Sequence, residues 1–171
     1  MVREVLTYPD KRLKLVSKDV EVFDTELHIL LEDMKETMYT NDGIGLAAIQ
    51  IGIDKNVLVI NLADEDGEQI HDNVEEIINP VILEANGSIT YQEGCLSVPS
   101  VYEDVTRKEI IKVRYFNRYG EMIEKELEGL MAIVFQHELD HLQGHLFIEK
   151  LSYLKRKKFE KEWKKKLKER K

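Results

Sequence analysis

The chain has 171 residues, 43% hydrophobic and 34% charged, the size and balance of one globular domain with its own core. No apolar run approaches the roughly 18 to 20 residues that span a bilayer, and Met1-Val2-Arg3-Glu4 lacks the apolar stretch of a signal peptide, so we expect a cytoplasmic protein without a membrane partner. The net charge of −8 is uneven: residues 150–171 hold twelve Lys/Arg against three Glu, leaving −17 on residues 1–149, an acidic body for which no DNA partner is expected.

From Thr25 to Tyr39, apolar residues at Leu27, Leu30, Leu31, Met34 and Met38 have the three/four spacing of one buried helix face, with Asp24 or Thr25 as N-cap. Asn41-Asp42-Gly43-Ile44-Gly45 follows and leads into Leu46-Ala47-Ala48; its two glycines permit an approach that side chains would forbid, as in a functional or tightly packed loop. Val57–Ile60 and Ile77–Leu83 are short apolar runs that predict strands, the second irregular or at an edge because Pro80 interrupts it. Between them, Asp64 to Glu76 is polar and acidic. Val105 to Phe116 and Met122 to Leu127 flank Asn117-Arg118-Tyr119-Gly120, a predicted hairpin. Leu130, Ile133, Val134, His137 and His141 then share a helix face, and Gly144 is a plausible stop. Beyond Leu146-Phe147-Ile148, Ser152 can cap a last helix carrying Tyr153, Leu154, Phe159, Trp163 and Leu167 among many lysines. The expected fold class is α+β: antiparallel β-sheet segments packed around a central metal-binding α-helix, with an N-terminal and a C-terminal helix.

The metal reading rests on His137-Glu138-Leu139-Asp140-His141. Histidines four apart on a helix stand one above the other, so both imidazoles reach one ion, while Glu138, about 100° around, can contact a water on it. A third ligand must come from elsewhere. Phe147 stands where the extended metzincin pattern requires histidine, and His145 lies eight residues beyond His137, about 12 Å along an unbroken helix. Glu160 is a poor candidate within the lysine-rich tail. Cys95, the only cysteine, sits in Glu93-Gly94-Cys95-Leu96-Ser97-Val98-Pro99 and would complete a Cys/His/His set with an open fourth position, unless it is merely a core thiol.

Gly43-Ile44-Gly45-Leu46-Ala47-Ala48-Ile49-Gln50-Ile51-Gly52, Glu93-Gly94-Cys95-Leu96-Ser97 and Gln136-His137-Glu138-Leu139-Asp140-His141 resemble, in order, the three signature motifs of the peptide deformylase family. The resemblance runs from about Tyr8 to Leu151 and implies a metal-dependent hydrolase that removes the formyl group from the N-terminal formylmethionine of new polypeptides. It implies Cys95, His137 and His141 as ligands of Fe²⁺, replaceable by Ni²⁺, Co²⁺ or Zn²⁺. Glu138 would act as base and then acid, and the side chain of Gln50 with the backbone N–H of Leu96 would stabilise the oxyanion. Leu130, Ile133 and Val134, with Ile44 and Tyr91, would form the methionine pocket; Gly43, Gly45, Glu93 and Gly94 are the other expected substrate-binding positions. Asp140 would pair with Arg107, and Tyr102 stands where many members carry arginine. Residues 1–150 would be the catalytic domain and 151–171 a basic helix or tail able to dock on the ribosome near the tunnel exit. The rival readings are an endoprotease or an amidase for another N-acyl group on the same metal, and a structural zinc or RNA-binding protein.

Overall fold

Asp24 begins the first helix by accepting the Leu27 N–H on its side chain, which satisfies one of the orphan donors at a helix N-terminus. In the computed structural model, which describes residues 1–169, this helix, α1, spans Thr25–Thr40 and buries Leu27, Leu30, Leu31, Met34 and Met38. It also buries Asp33, an unexpected charge that the Met1 ammonium and the Arg3 guanidinium each approach at 2.8 Å.

Seven strands follow: β1 Gly45–Ala47, β2 Val57–Ile60, β3 Glu75–Asn86, β4 Ile89–Cys95, β5 Val98–Arg107, β6 Ile110–Phe116 and β7 Met122–Glu128. Five form an antiparallel sheet in the order β1-β2-β3-β6-β7, and β4 pairs with β5 in a separate hairpin. The uninterrupted apolar run of β2 has a physical cause in this layering. Val57 and Val59 pack in the cluster with α1, whereas Leu58 and Ile60 point the other way and pack with Ala132, Val134 and Phe135 of the second helix, α2, Gly129–Leu142. A strand covered on both faces needs no polar alternation.

The proline-interrupted strand is irregular, as its sequence predicts, but central. Asn79 has φ 53°, the register with β6 shifts between Ile78 and Val81, and the Asn79 side chain bonds both backbone groups of Val20. The predicted strand Val105–Phe116 is instead two. The chain leaves the hairpin at Arg107 and enters the large sheet at Ile110, and the Gln136 side chain holds both the N–H and the C=O of Lys108 at the crossing.

α2 lies between the sheet and the β4–β5 hairpin. Gly144, at φ +85°, ends the turn beyond it, and a Cβ there would lie 2.5 Å from the Lys14 carbonyl oxygen, so only glycine fits. The last helix, α3, spans Tyr153–Glu169; residues 170 and 171 of the 151–171 segment lie outside the described ones. The sequence assigns its apolar face to five residues, but only Phe159 and Trp163 are buried, packed against Tyr8 in tilted and edge-on contacts, while Tyr153 and Leu154 are exposed. α3 is thus fastened to the body by two aromatic rings and presents its lysines to solvent.

Candidate metal centre and substrate cleft

The helical four-residue spacing brings His137 and His141 together as expected, with Nε2 atoms 3.2 Å apart. Cys95, at the end of β4, is delivered from the hairpin so that Sγ lies 3.3 Å from His141 Nε2. One donor atom from each of the three residues lies within 4.8 Å of the others. Two nitrogens about 2.1 Å from one tetrahedral ion stand about 3.4 Å apart, and a nitrogen and a sulfur about 3.6 Å, so these separations fit a single ion shared by all three.

The electrostatics fit as well. Burial disfavours imidazolium at both histidines, yet hydrogen bonds with Cys95 and Glu93 raise His137 to about 10, and His141, buried beside that charge, is driven well below its usual value. Cys95, Glu93 and Glu138 thus favour positive charge at His137, and that charge together with burial keeps His141 neutral. Burial, the largest cause, pushes Glu138 up to about 7. Its Oε1 lies 3.9 Å from His137 Nε2, and Oε2 is buried with no hydrogen-bond partner among the described residues.

His137 is oriented from behind. Its Nδ1 is 2.8 Å from Glu93 Oε1, a carboxylate that also accepts two N–H bonds from Arg107, whose remaining arm donates to Asp140 at 2.8 Å. The sequence reading sets Glu93 on the substrate wall. It borders the cleft, but both carboxylate oxygens are turned to Arg107 and His137, and the residue is 5% exposed, so its contacts are those of a support for the metal-ligand candidate. The Asp140–Arg107 pair forms as expected.

Gln50 is fixed in one orientation. The Ala47 N–H donates to Oε1 at 2.9 Å, which leaves Nε2 facing Ser97 Oγ at 3.0 Å and Cys95 Sγ at 3.6 Å. Ser97, fully buried, is the partner that the sequence reading missed, although it lies only two residues past Cys95 in the same motif.

A cleft of about 540 Å³ opens onto these groups, with Leu130, Ile133, Val134 and Leu96 at its walls. Ile44 and Tyr91 line it and are 41% and 45% exposed. A Cβ on Gly45 would lie 3.0 Å from both Glu138 Oε1 and Val134 Cγ1, so glycine lets the edge strand β1 close against the helix. Tyr102 covers Gly94 so closely that a Cβ there would be 2.6 Å from its ring. Gly94 therefore reaches the cleft as backbone beneath an aromatic side chain.

Fold and site together define an α+β protein with an HExxH helix and a candidate mononuclear metal centre at the base of an open cleft. The sequence profile of the family described as polypeptide deformylase matches residues 2–157. The chain is 52% identical over 168 residues to the peptide deformylase of Nautilia profundicola, covering 98% of this chain and 97% of that one. It is 53% identical over 169 residues to that of Campylobacter jejuni, with the same coverage. Among solved structures, it is similar to a peptide deformylase from Legionella pneumophila, with TM-score 0.88, 41% identity and coverage of 100% and 99% of the two chains. A peptide deformylase from Ehrlichia chaffeensis in complex with actinonin gives TM-score 0.88 at 40% identity, covering 96% and 97%. The chain belongs to the polypeptide deformylase family, whose members are metal-dependent.

Proposed function

We propose that Cys95, His137 and His141 hold one divalent ion, Fe²⁺ in the cell with Ni²⁺, Co²⁺ or Zn²⁺ as replacements, and that the adjoining residues hydrolyse the formyl group of formylmethionyl chain ends. The observation that carries this reading is the convergence of those three donors beside a buried Glu138 carboxylate with one oxygen unpartnered. A cation bound there acidifies water and polarises the formyl carbonyl. Glu138 takes the proton as the water oxygen bonds to the formyl carbon, and returns it to the nitrogen as the C–N bond breaks, giving a free amine and formic acid, whose remaining proton passes to the amine to leave formate and an ammonium group at neutral pH. Gln50 Nε2, aimed by Ala47 and Ser97, donates with the Leu96 backbone N–H to the oxygen that gains charge. Leu130, Ile133 and Val134, with Ile44 and Tyr91, enclose the methionine side chain, whose burial contributes about 2 kcal/mol. The outer edge of β1 at Ile44 and Gly45, which no strand among the described residues pairs, takes the extended peptide as an added strand.

In this reading residues 1–150 carry the chemistry in the cytoplasm, and 151–171 dock on ribosomal RNA near the tunnel exit. Support comes from the exposed lysines of α3 and its net charge; among the described residues no helix is long and apolar enough to cross a membrane. Because Phe159 and Trp163 are buried, the test is charge reversal at exposed Lys157, Lys161, Lys164 and Lys165, which leaves the packing intact. Ribosome cosedimentation unchanged by the reversal would reject docking.

The enzymatic test is turnover of formyl-Met-Ala-Ser and its acetyl counterpart by protein purified without oxygen, with metal analysis and an air-exposed control. We expect bound iron, rapid turnover of the formyl peptide alone, and loss in air. Absence of turnover with iron, nickel or cobalt loaded would overturn the reading.

A further inference from the structure

The acidic stretch between β2 and β3 has no role in the chemistry above, yet it is tied to the cleft. The Gln69 side-chain amide donates to the Gly43 carbonyl at 3.1 Å and to the Asn61 carbonyl at 2.7 Å. Its two donors thus bridge the residue that opens the cleft edge and the residue that follows β2. Around this bridge the strap is clamped at three further points. Asn61 Nδ2 donates to the Ile70 carbonyl at 2.8 Å and to the Tyr39 hydroxyl at 2.9 Å, the Tyr39 hydroxyl donates to the His71 carbonyl, and the His71 ring stacks on Tyr39 at 3.8 Å. On the inner side, the Asn61 N–H donates to the Ile44 carbonyl at 2.8 Å.

These bonds matter because β1 is short and lies at the sheet edge. It has three residues and one pairing partner, and Gly43, Ile44 and Gly45 border the cleft. An edge with two glycines in three residues has little intrinsic stiffness. A strand-pairing surface must hold its N–H and C=O groups in register before the partner arrives, or binding must supply the ordering. We propose that Gln69 is a positioning residue that holds the cleft edge in register for the peptide backbone beyond the formylmethionine. It touches neither the reacting atoms nor the methionine pocket. Its effect falls on residues after methionine and not on the chemical step. This inference rests on the deformylase reading, and in particular on strand addition at β1.

The test compares two substrates, formyl-Met-Ala-Ser and formyl-methionine amide, which lacks the backbone that would pair beyond the first residue. The variants are Gln69→Met, similar in length with no donor, and Gln69→Glu, which sets a carboxylate against two carbonyl oxygens. For Gln69→Met, which removes both donated bonds, we expect KM for the tripeptide to rise about fivefold, with kcat and metal content unchanged. Gln69→Glu should raise it further. The short substrate should show no change in kcat/KM with either variant. An equal loss on both substrates would indicate a general structural role and overturn the proposal, as would an active wild type with no tripeptide advantage or a Gln69→Met variant that keeps it. Wild-type protein inactive on both substrates, with metal bound, would overturn the deformylase reading itself.

Discussion

Two arginines each gather a network of charges, Arg118 in a half-buried one and Arg107 in a buried one, and their surroundings end differently. Arg118, in the β6–β7 turn, donates to Glu76 of β3 and Glu32 of α1, and Lys35 reaches the same two carboxylates at 3.2 and 2.8 Å. Every charge in that group meets its opposite. Arg107, at the end of β5, is just as fully engaged with Glu93 and Asp140, but that group continues into α2, where Glu138 Oε2 and His141 Nδ1 are buried without partners among the described residues. An unmade bond on a buried polar atom costs about 1–3 kcal/mol, and here two such atoms fall in one charged group. The satisfied group pins helix to sheet. The unsatisfied one sits at the base of the cleft, and under the proposed function the contrast would separate charges that hold the fold from charges kept ready for proton transfer and ligation.

The largest expected effect tests that separation directly. Glu138→Gln keeps the size and polarity of the side chain and removes its ability to carry a proton, so kcat should fall about 10³-fold with metal per chain unchanged, read by steady-state kinetics and metal analysis. Retained turnover would place Glu138 with the structural charges. Next in size is Glu93→Gln, which weakens the bond to His137 Nδ1 that orients the opposite nitrogen. Metal affinity should drop about 10- to 100-fold in competition with a chelator, as for other groups that orient a ligand histidine. Unchanged affinity would mean that the Arg107 group is, like the Arg118 group, only a clamp.

How far this contrast is legible in the sequence depends on the range of the interactions. α1 and α2 announce themselves because local periodicity encodes which face is covered, β2 because an uninterrupted apolar run suits a strand covered on both, and the histidine pair needs only helix geometry to be seen as a unit. One of the two contacts that aim the Gln50 amide comes from Ser97, 47 residues away, and the break between β5 and β6 depends on Gln136, 28 residues from Lys108, with no glycine or proline to mark it. α3 shows the same limit on a small scale. Tyr153 and Leu154 are as apolar as Phe159 and Trp163, but Tyr8 packs against the second pair, and nothing within α3 itself indicates that. Gln69 reads as one more polar residue in an acidic stretch until the fold sets it against a carbonyl 26 residues upstream.

The smallest expected effect concerns the satisfied group and depends on pH. Burial raises the Glu76 carboxyl, but hydrogen bonds from Arg118 and Lys35 outweigh it and hold the group below its ordinary value of 4.5. A carboxyl depressed by folding contributes stability that is fully present above the ordinary value and is lost as pH falls through the folded one. Glu76→Gln removes that contribution while leaving Arg118 and Lys35 their contacts with Glu32. At pH 7 the variant should be less stable by about 2 kcal/mol, the scale of a hydrogen bond to a charged group. The difference between the two proteins should hold constant down to about pH 5 and close progressively below 4.5 in urea denaturation at fixed pH steps. Both proteins share the metal centre, so its own acid sensitivity cancels in the difference, and deformylase activity at pH 7 should be equal in the two. A gap that failed to close in acid would show that Glu76 acts through packing and not through charge, and the two arginine groups would then differ in more than where they end.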